Sequence, residues 1–347
     1  MTLSRNVSKF YVRPIFSRKK SNSILLGSSK LYFSEFELIE RNKNKIKKKV
    51  ISLSDIEILP QNVAKIVKEK IKTIKKPLSK ASRINFKKPC IMGILNVTPD
   101  SFYDGGNYIS KDSAISQFMK LVKEGADIID VGGESTRPGA KKTPIKEEIR
   151  RVIPILKSIQ KKNVPISLDS RKPEVIAQAL KVGINFVNDV SGLRYSKKTF
   201  RLLKRSNLPF IIMHSISDPK NMQRDIKYDD VLLDVYDFFE SQIEKCKKNQ
   251  INLNNIIIDP GIGFGKTVKQ NLKLISNISL FHSLGFPILL GASRKSFIGK
   301  LSKNTLNNDR LGGSIAAVLY GSTQGVQIFR VHDVHETIQA IKIFSKI

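Results

Sequence analysis

Residues 125–170 read GADIIDVGGESTRPGAKKTPIKEEIRRVIPILKSIQKKNVPISLDS. Two short apolar, β-branched runs, 128–131 and 166–168, flank a stretch in which Ile149, Val152, Ile153 and Leu156 recur at helical spacing. Thr143-Pro144 stand before that stretch and predict an N-cap residue with proline at the first helical position. Strand, crossover helix and second strand form the unit from which parallel sheets are built. The unit recurs in both directions. Comparable runs lie at 91–95, 186–187, 210–213, 256–258, 288–290 and 326–329, which makes eight in all. Between the first two, Ile115, Phe118, Met119 and Val122 predict a helix ended by Gly125. A (β/α)8 TIM barrel typically takes about 250 residues, and the alternation fills the chain from residue 89 to 347. The fold class predicted is therefore α/β, a TIM barrel. An open doubly wound sheet is the second reading, weakened because no GxGxxG turn follows the first run.

The 347-residue chain is 40% hydrophobic and 26% charged, which excludes a wholly disordered protein. Cys90 and Cys246 are its two cysteines, at neither zinc-ligand nor CxxC spacing, so a disulfide scaffold is excluded and a reducing compartment expected. No apolar run approaches the roughly 18–20 residues of a membrane span; a soluble intracellular protein with no membrane partner is expected. Lys+Arg 61 against Asp+Glu 30 give a net charge of +31, and residues 1–88 hold 23 of the basic and 6 of the acidic residues. The excess is mostly lysine among abundant Ile and Asn, as a biased genome composition produces, and no nucleic-acid-binding motif accompanies it. A nucleic-acid partner is not expected.

Residues 1–34 contain no acidic residue, as in organellar transit peptides. Tyr11-Val12-Arg13-Pro14 and Leu31-Tyr32-Phe33 instead suit a docked segment. Residues 41–50 read as a solvated turn or hairpin tip, and Val63, Ile66, Val67 and Ile71 predict a short amphipathic helix over 61–76. The expected division is a basic, partly ordered N-terminal extension over 1–88, poor in functional signals, and a barrel over 89–347.

Each predicted strand ends in residues a core strand has no reason to carry. NVTPD (96–100) and GGESTRP (132–138) follow the first two runs; Asp169, Asn188-Asp189 and His214 follow the next three. Asp259, Ser293-Arg294-Lys295, and Arg330 with His332 complete the set. In a barrel these ends meet at one face, where active sites are built. Asp169, Asn188, Asp259 and Lys295 suit the edge of a flat, hydrogen-bonding heterocycle: carboxylates accept from ring N–H groups, and lysine donates to a ring carbonyl or nitrogen. Arg330 and His332 fall where barrels commonly hold phosphate. Asn96 adds an oxygen ligand, and Mg²⁺ bound with phosphates needs only one or two protein oxygens. A heterocycle joined to a phosphorylated group is the ligand these residue types favour.

Two other patterns carry less. GIGFGKT (261–267) is one residue short of GxxxxGK[ST], so its glycines are assigned to a tight turn or a close backbone approach. His214, His282, His332 and His335 have no metal-cluster spacing, and His282 and His335 are expected at the surface.

The chain from about Cys90 onward resembles the dihydropteroate synthases, a family of pterin-binding barrels in the folate pathway. The matching motifs are MGILNVTPDSFYDGG (92–106), GADIIDVGGESTRPGA (125–140), SLDSRKPEV (167–175), NDVSGL (188–193), MH followed by PKNMQ (213–223), IDPGIGFGKT (258–267), GASRKSFIG (291–299) and RVHDV (330–334). The stretch from YVRP to Ile84 resembles the extended N-terminus of some bacterial members, which implies a cytoplasmic protein. The resemblance implies a homodimer that joins 6-hydroxymethyl-7,8-dihydropterin diphosphate to p-aminobenzoate, releasing pyrophosphate and 7,8-dihydropteroate. On matching positions, it implies that Asp169, Asn188, Asp259 and Lys295 hold the pterin. Arg294 would lie on its face, and Met213 and Phe264 would wall its slot. Asn96 would sit near Mg²⁺ and the diphosphate, with Asp104, Arg330 and His332. Thr136, Arg137, Pro138 and Ser293 would shape the p-aminobenzoate pocket, where sulfonamides compete in this family. Asp169, Lys295, Arg330 and His332 would be catalytic. Tyr103, Ser170, Ser217 and Ile262 depart from the usual Ser, Thr, Gly and Phe, and none is an implied ligand.

The chemistry expected is a dissociative substitution. Breaking the C–O bond to diphosphate develops positive charge on the pterin methylene, which the carboxylate of Asp169 favours. Negative charge develops on the leaving group, which Arg330, His332 and Mg²⁺ favour. The arylamine attacks as a neutral nucleophile, with no covalent enzyme intermediate. Loops at Gly105-Gly106 and Gly132-Gly133 would close over the cation. The rival readings are a methyltetrahydrofolate-dependent methyltransferase and a nucleic-acid-binding protein using the basic face.

Overall fold

The computed structural model describes residues 8–17, 22–27, 29–43, 45–78, 80–98, 111–135, 140, 142–216, 227–303 and 310–347. The N-terminal part forms an antiparallel sheet. β3 (Tyr32–Asn42) is its centre, pairing β1 (Lys9–Ser17) on one side and both β2 (Ile24–Leu25) and β4 (Lys45–Ser52) on the other. Of the stretch expected as a hairpin tip, Lys43 is a turn among the described residues; residues 41–42 and 45–50 are strand, and the lysines of 45–50 lie along an exposed edge that tolerates charge. α1 (Gln61–Lys75) follows, as its apolar spacing predicts.

The extension carries more structure than its composition suggests. Val12, Phe36 and Leu38 form one apolar cluster with Val63, Val67, Ile71 and Ile74 of α1, whereas the adjacent Tyr11 and Ile39 join the core of the following barrel. The period-2 alternation of strands thus splits one sheet between two partners.

The remaining strands are β5 (Cys90–Asn96), β6 (Ile128–Gly132), β7 (Ile166–Asp169), β8 (Phe186–Asp189), β9 (Phe210–Met213), β10 (Ile256–Asp259), β11 (Leu289–Leu290) and β12 (Ile328–Val331). They are parallel, in the order β10-β9-β8-β7-β6-β5-β12-β11, and a bridge between Ile258 and Ile288 joins the two ends. This is the barrel, not the open sheet. Outside it lie α2 (Lys111–Lys123), α3 (Ile145–Ile159), α4 (Pro173–Val182), α5 (Lys198–Ser206), α6 (Val231–Lys248), α7 (Val268–Ser276), α8 (Ser296–Leu301), α9 (Leu311–Thr323) and α10 (Val334–Phe344).

The ring is filled in tiers. Ile128, Phe186, Ile211, Ile257, Leu289 and Ile328, one from each of six strands, form one apolar cluster at the end where the strands begin. Ala81, Ile84 and Phe86, from the segment before β5, belong to the same cluster and plug that end. Two residues further along each strand the same inward face carries Asp130, Asn188, Met213, Asp259, Gly291 and Arg330. The alternation therefore seats the polar tier directly above the apolar one.

Three local expectations need correction. Pro144, not Thr143, occupies the N-cap of α3, because the Thr143 N–H and carbonyl are held by Glu134 and Lys172. Met119 is exposed, and α2 buries Ala114, Phe118 and Leu121. His282 is buried, not superficial: its Nε2 bonds the Gln324 carbonyl at 2.9 Å and its ring packs edge-on against Phe16 of the N-terminal sheet. The docked sheet covers a surface that the barrel alone would expose. His335 is exposed as expected.

Candidate active site

Arg330 organises the polar tier. Its Nε donates to Asp130 at 2.7 Å and its Nη2 to Asp169 at 2.9 Å. The Asn188 amide donates to the same Asp130 oxygen at 3.0 Å. Asp169, Asn188 and Asp130 are all buried. A planar guanidinium with fixed donors is suited to spanning two carboxylates from separate nitrogens in one plane. Asp130 was not singled out from the sequence. It sits inside an apolar run, and the signal that could have found it is its place two residues beyond the inward-facing Ile128.

Asp259 and Lys295 face the same space. A Cβ placed on Gly291 would lie 3.9 Å from both Arg330 Cβ and Asp259 Oδ2. Lys295 Nζ stands 4.0 Å from the centre of the Phe264 ring, a cation–π contact. Phe264 packs with Met213 in a small buried cluster. Burial pushes Asp259 up to about 6, while the Gly261 amide and Lys295 draw it back. Burial also lowers Lys295 to about 8, aided by Arg330 and opposed by Asp259 and Asp169. Burial raises Asp169 too, with Arg330 opposing. The mutual influence of these groups follows from their convergence on one pocket.

At the ends of β11 and β12, Ser293 Oγ accepts from the His332 N–H at 3.2 Å and lies 3.0 Å from His332 Nδ1. Such a hydroxyl can donate to Nδ1, leaving the ring proton on Nε2. Burial, with Arg330 and Arg294 nearby, lowers His332 to about 3, so the imidazole is neutral near pH 7. Arg294 has φ +54 and makes a two-pronged ion pair with Asp333. It is thus held toward α10 and does not share the network of Asp169, Asn188 and Arg330. Asn96 ends β5, half-buried beside that network.

The glycine-rich loop after β10 has a definite task. Gly261 has φ +65, and a Cβ there would collide with the His214 carbonyl, so only glycine fits. Lys266 turns inward, where it contacts His214 Nδ1 at 3.0 Å and donates to the carbonyls of Gly261 at 2.8 Å and Phe264 at 2.9 Å. The lysine of the near-P-loop is therefore spent on the loop's own backbone. A second buried cluster was also missed: Lys172 bonds Glu134, Glu148 and the Thr143 carbonyl, and Glu134 accepts from Arg171 and the Thr143 N–H. It ties residue 134 to residue 143 across the segment between them. Thr136, Arg137, Pro138 and Asp104, with Tyr103, Gly105, Gly106 and Ser217, lie outside the described residues.

A barrel whose mouth presents carboxylates, an amide and a lysine around an aromatic wall defines an enzyme that binds a polar heterocycle. Residues 92–332 match the family model for pterin binding enzymes, and the chain belongs to that family. Among its relatives is the dihydropteroate synthase of Escherichia coli K12, 42% identical over 269 residues, which cover 77% of this chain and 95% of that protein. The structure of Yersinia pestis dihydropteroate synthase with a sulfonamide drug is similar at a TM-score of 0.72 and 39% identity, covering 76% of this chain and 95% of that one. That of the Xanthomonas albilineans enzyme with 4-aminobenzoic acid is similar at 0.71 and 38%, covering 76% and 94%.

Proposed function

We propose that the protein catalyses the dihydropteroate synthase reaction, joining 6-hydroxymethyl-7,8-dihydropterin diphosphate to p-aminobenzoate with release of pyrophosphate. The observation that carries this reading is the polar tier, in which Asp169, Asn188, Asp259, Lys295 and Arg330 meet at one barrel mouth in a chain 42% identical to the E. coli enzyme. Asp259 and Asn188 present acceptor and amide groups to the pterin edge, Lys295 donates to it, and Met213 and Phe264 flank the ring. Ser293, with Thr136, Arg137 and Pro138, shapes the arylamine pocket. Arg294 lies near the outer face of the pterin, steadied by Asp333.

The substitution is dissociative. Asp169 lies beside the developing cation, and Arg330 and the His332 Nε2–H meet the departing oxygens. Asn96 is the residue that would hold Mg²⁺, with Asp104 assigned to the diphosphate; a single neutral amide fits an ion that brings its other ligands with the phosphates. That ion supplies charge neutralisation to the leaving group. Residues 89–347 are the catalytic barrel and 1–88 an extension packed against it. A homodimer is favoured by Leu272, Leu301 and Tyr320, which stand exposed on α7, α8 and α9. A cytoplasmic location agrees with Tyr11 and Val12 being wholly buried, as part of the fold and not a discarded leader.

The deciding experiment is pyrophosphate release from the pterin diphosphate upon addition of p-aminobenzoate, with and without Mg²⁺. Release that requires both additions is expected. A chain that instead transfers methyl groups from methyltetrahydrofolate, or that binds nucleic acid equally well as Asp259→Ala, is not this enzyme. The pH dependence of kcat/KM for the pterin substrate is expected to be bell-shaped. Activity rises as Asp259 ionises near about 6 and falls as Lys295 loses its proton near about 8. Lys295→Arg keeps its charge at all accessible pH and should lose the alkaline limb, though its maximum is lower. An unchanged limb would assign it to another group.

A further inference from the structure

We propose that Arg41 of the N-terminal sheet is a positioning residue, which fixes the wall of the pterin pocket through the start of α6. The inference rests on the pocket's assignment to pterin.

Arg41 Nη1 donates to Asp234 Oδ1 at 2.7 Å, and its Nη2 to Asp229 at 3.3 Å. The other oxygen of Asp234 accepts from the backbone N–H groups of Asp229 at 2.9 Å and Asp230 at 3.2 Å. One carboxylate is thus shared between the extension and the turn that opens α6. Asp230 in turn caps α6 through the N–H groups of Leu232 and Leu233 and pairs with Lys273 of α7. Both ends of that turn are fixed.

Tyr228 stands immediately before the turn. Its hydroxyl donates to the Gly265 carbonyl at 3.2 Å, and its ring lies 5.9 Å from that of His214. Gly265 adjoins Lys266, whose ammonium holds His214 and the carbonyls of Gly261 and Phe264. Phe264 faces Lys295, and the Gly261 N–H donates to Asp259 at 2.8 Å. A series of hydrogen bonds, joined through adjacent backbone and ending in the Lys295–Phe264 cation–π contact, therefore runs from the extension to the two residues that read the pterin edge. Lys9 meets Asp237, which also lies 3.6 Å from Arg41, whereas Lys70 of α1 bonds Tyr236 and Glu240 further along α6, outside the series.

The test uses the full chain. Arg41→Met is expected to raise both KM and the directly titrated Kd for 6-hydroxymethyl-7,8-dihydropterin diphosphate about tenfold, the scale of one charge-assisted hydrogen bond, with kcat little changed. Arg41→Lys should recover part of the affinity. Lys70→Met, which also removes an ion pair between the extension and α6, should leave KM at the wild-type value. Tyr228→Phe keeps the ring and deletes the bond to Gly265; it should raise KM similarly, and the double variant should add nothing further. Unchanged KM in Arg41→Met, an equal rise in Lys70→Met, or fully additive effects would overturn the proposal. Should Arg41→Met fail to fold, an unchanged KM in Tyr228→Phe overturns it alone. An inactive wild-type chain would count against the reaction assigned, not against Arg41.

Discussion

Arg330→Ala is expected to lose turnover by two to three orders of magnitude, the usual cost of removing one group that meets developing charge, and to be markedly less stable. The second effect comes from Asp130 and Asp169. Both are buried and both bond the same guanidinium; without it Asp130 keeps the Asn188 amide, and Asp169 loses the cation bonded to it. Breaking one partner out of a buried ion pair costs about 3–5 kcal/mol, because an uncompensated charge remains. The sign of the pH dependence separates this account from simple loss of packing. In the variant Asp169, which burial already raises and Arg330 no longer draws back, is raised further in the folded state, so protonation favours the fold. Stability is present at low pH and is lost as pH rises through the folded-state value of Asp169. Denaturant titrations near pH 5.5 and pH 8 should therefore show a deficit that shrinks on acidification. Arg330→Lys should fall between, since an ammonium cannot serve both carboxylates in one plane. A deficit equal at both pH values would contradict the pairing.

Asp259→Asn is expected to lower kcat/KM for the pterin substrate about ten-thousandfold, the scale on which a site built to hydrogen-bond a ring rejects a mismatched partner. The change is chosen to preserve the local fold. Asp259 Oδ1 accepts from the Gly261 N–H, and the asparagine carbonyl can do the same, so the strained Gly261 turn survives. Only the other position changes: an acceptor facing the pocket becomes a donor that opposes the ring N–H. Thermal unfolding should move little while calorimetric binding of the pterin diphosphate disappears. Turnover within tenfold of wild type would remove Asp259 from the pterin edge. Asp259→Ala should lose activity equally and stability as well.

These two residues also show what the sequence makes legible. Asp259 and Arg330 interrupt apolar runs near their ends, and a barrel brings such ends together, so the convergence could be anticipated from spacing alone. Asp130 could not be read the same way, since one acid among isoleucines and valine resembles any imperfect strand. Only the tiered interior reveals that it lies one step above the apolar plug, in the tier of Arg330 and bonded to it. The position of His282 depended on a partner more than two hundred residues away in sequence, for which local pattern holds no information. The same holds for Lys266: a glycine-flanked lysine suggests an anion site, whereas the carbonyls it serves become visible only when the loop folds back on itself. The extension was the least legible part, because its strands complete their packing on surfaces supplied elsewhere.

The docking of that first sheet also sets an order of events during synthesis. Lys9 meets Asp237, 228 positions later, and the Pro14 carbonyl accepts from Ser279, 265 positions later. At translation rates of about 5–20 residues per second, the earliest strands emerge roughly ten to fifty seconds before their seat exists. During that interval Tyr11 and Ile39 have nothing to cover them, and the lysines of the β4 edge discourage pairing with neighbouring nascent chains. The first sheet is made before its seat and docks only once that seat has been synthesised.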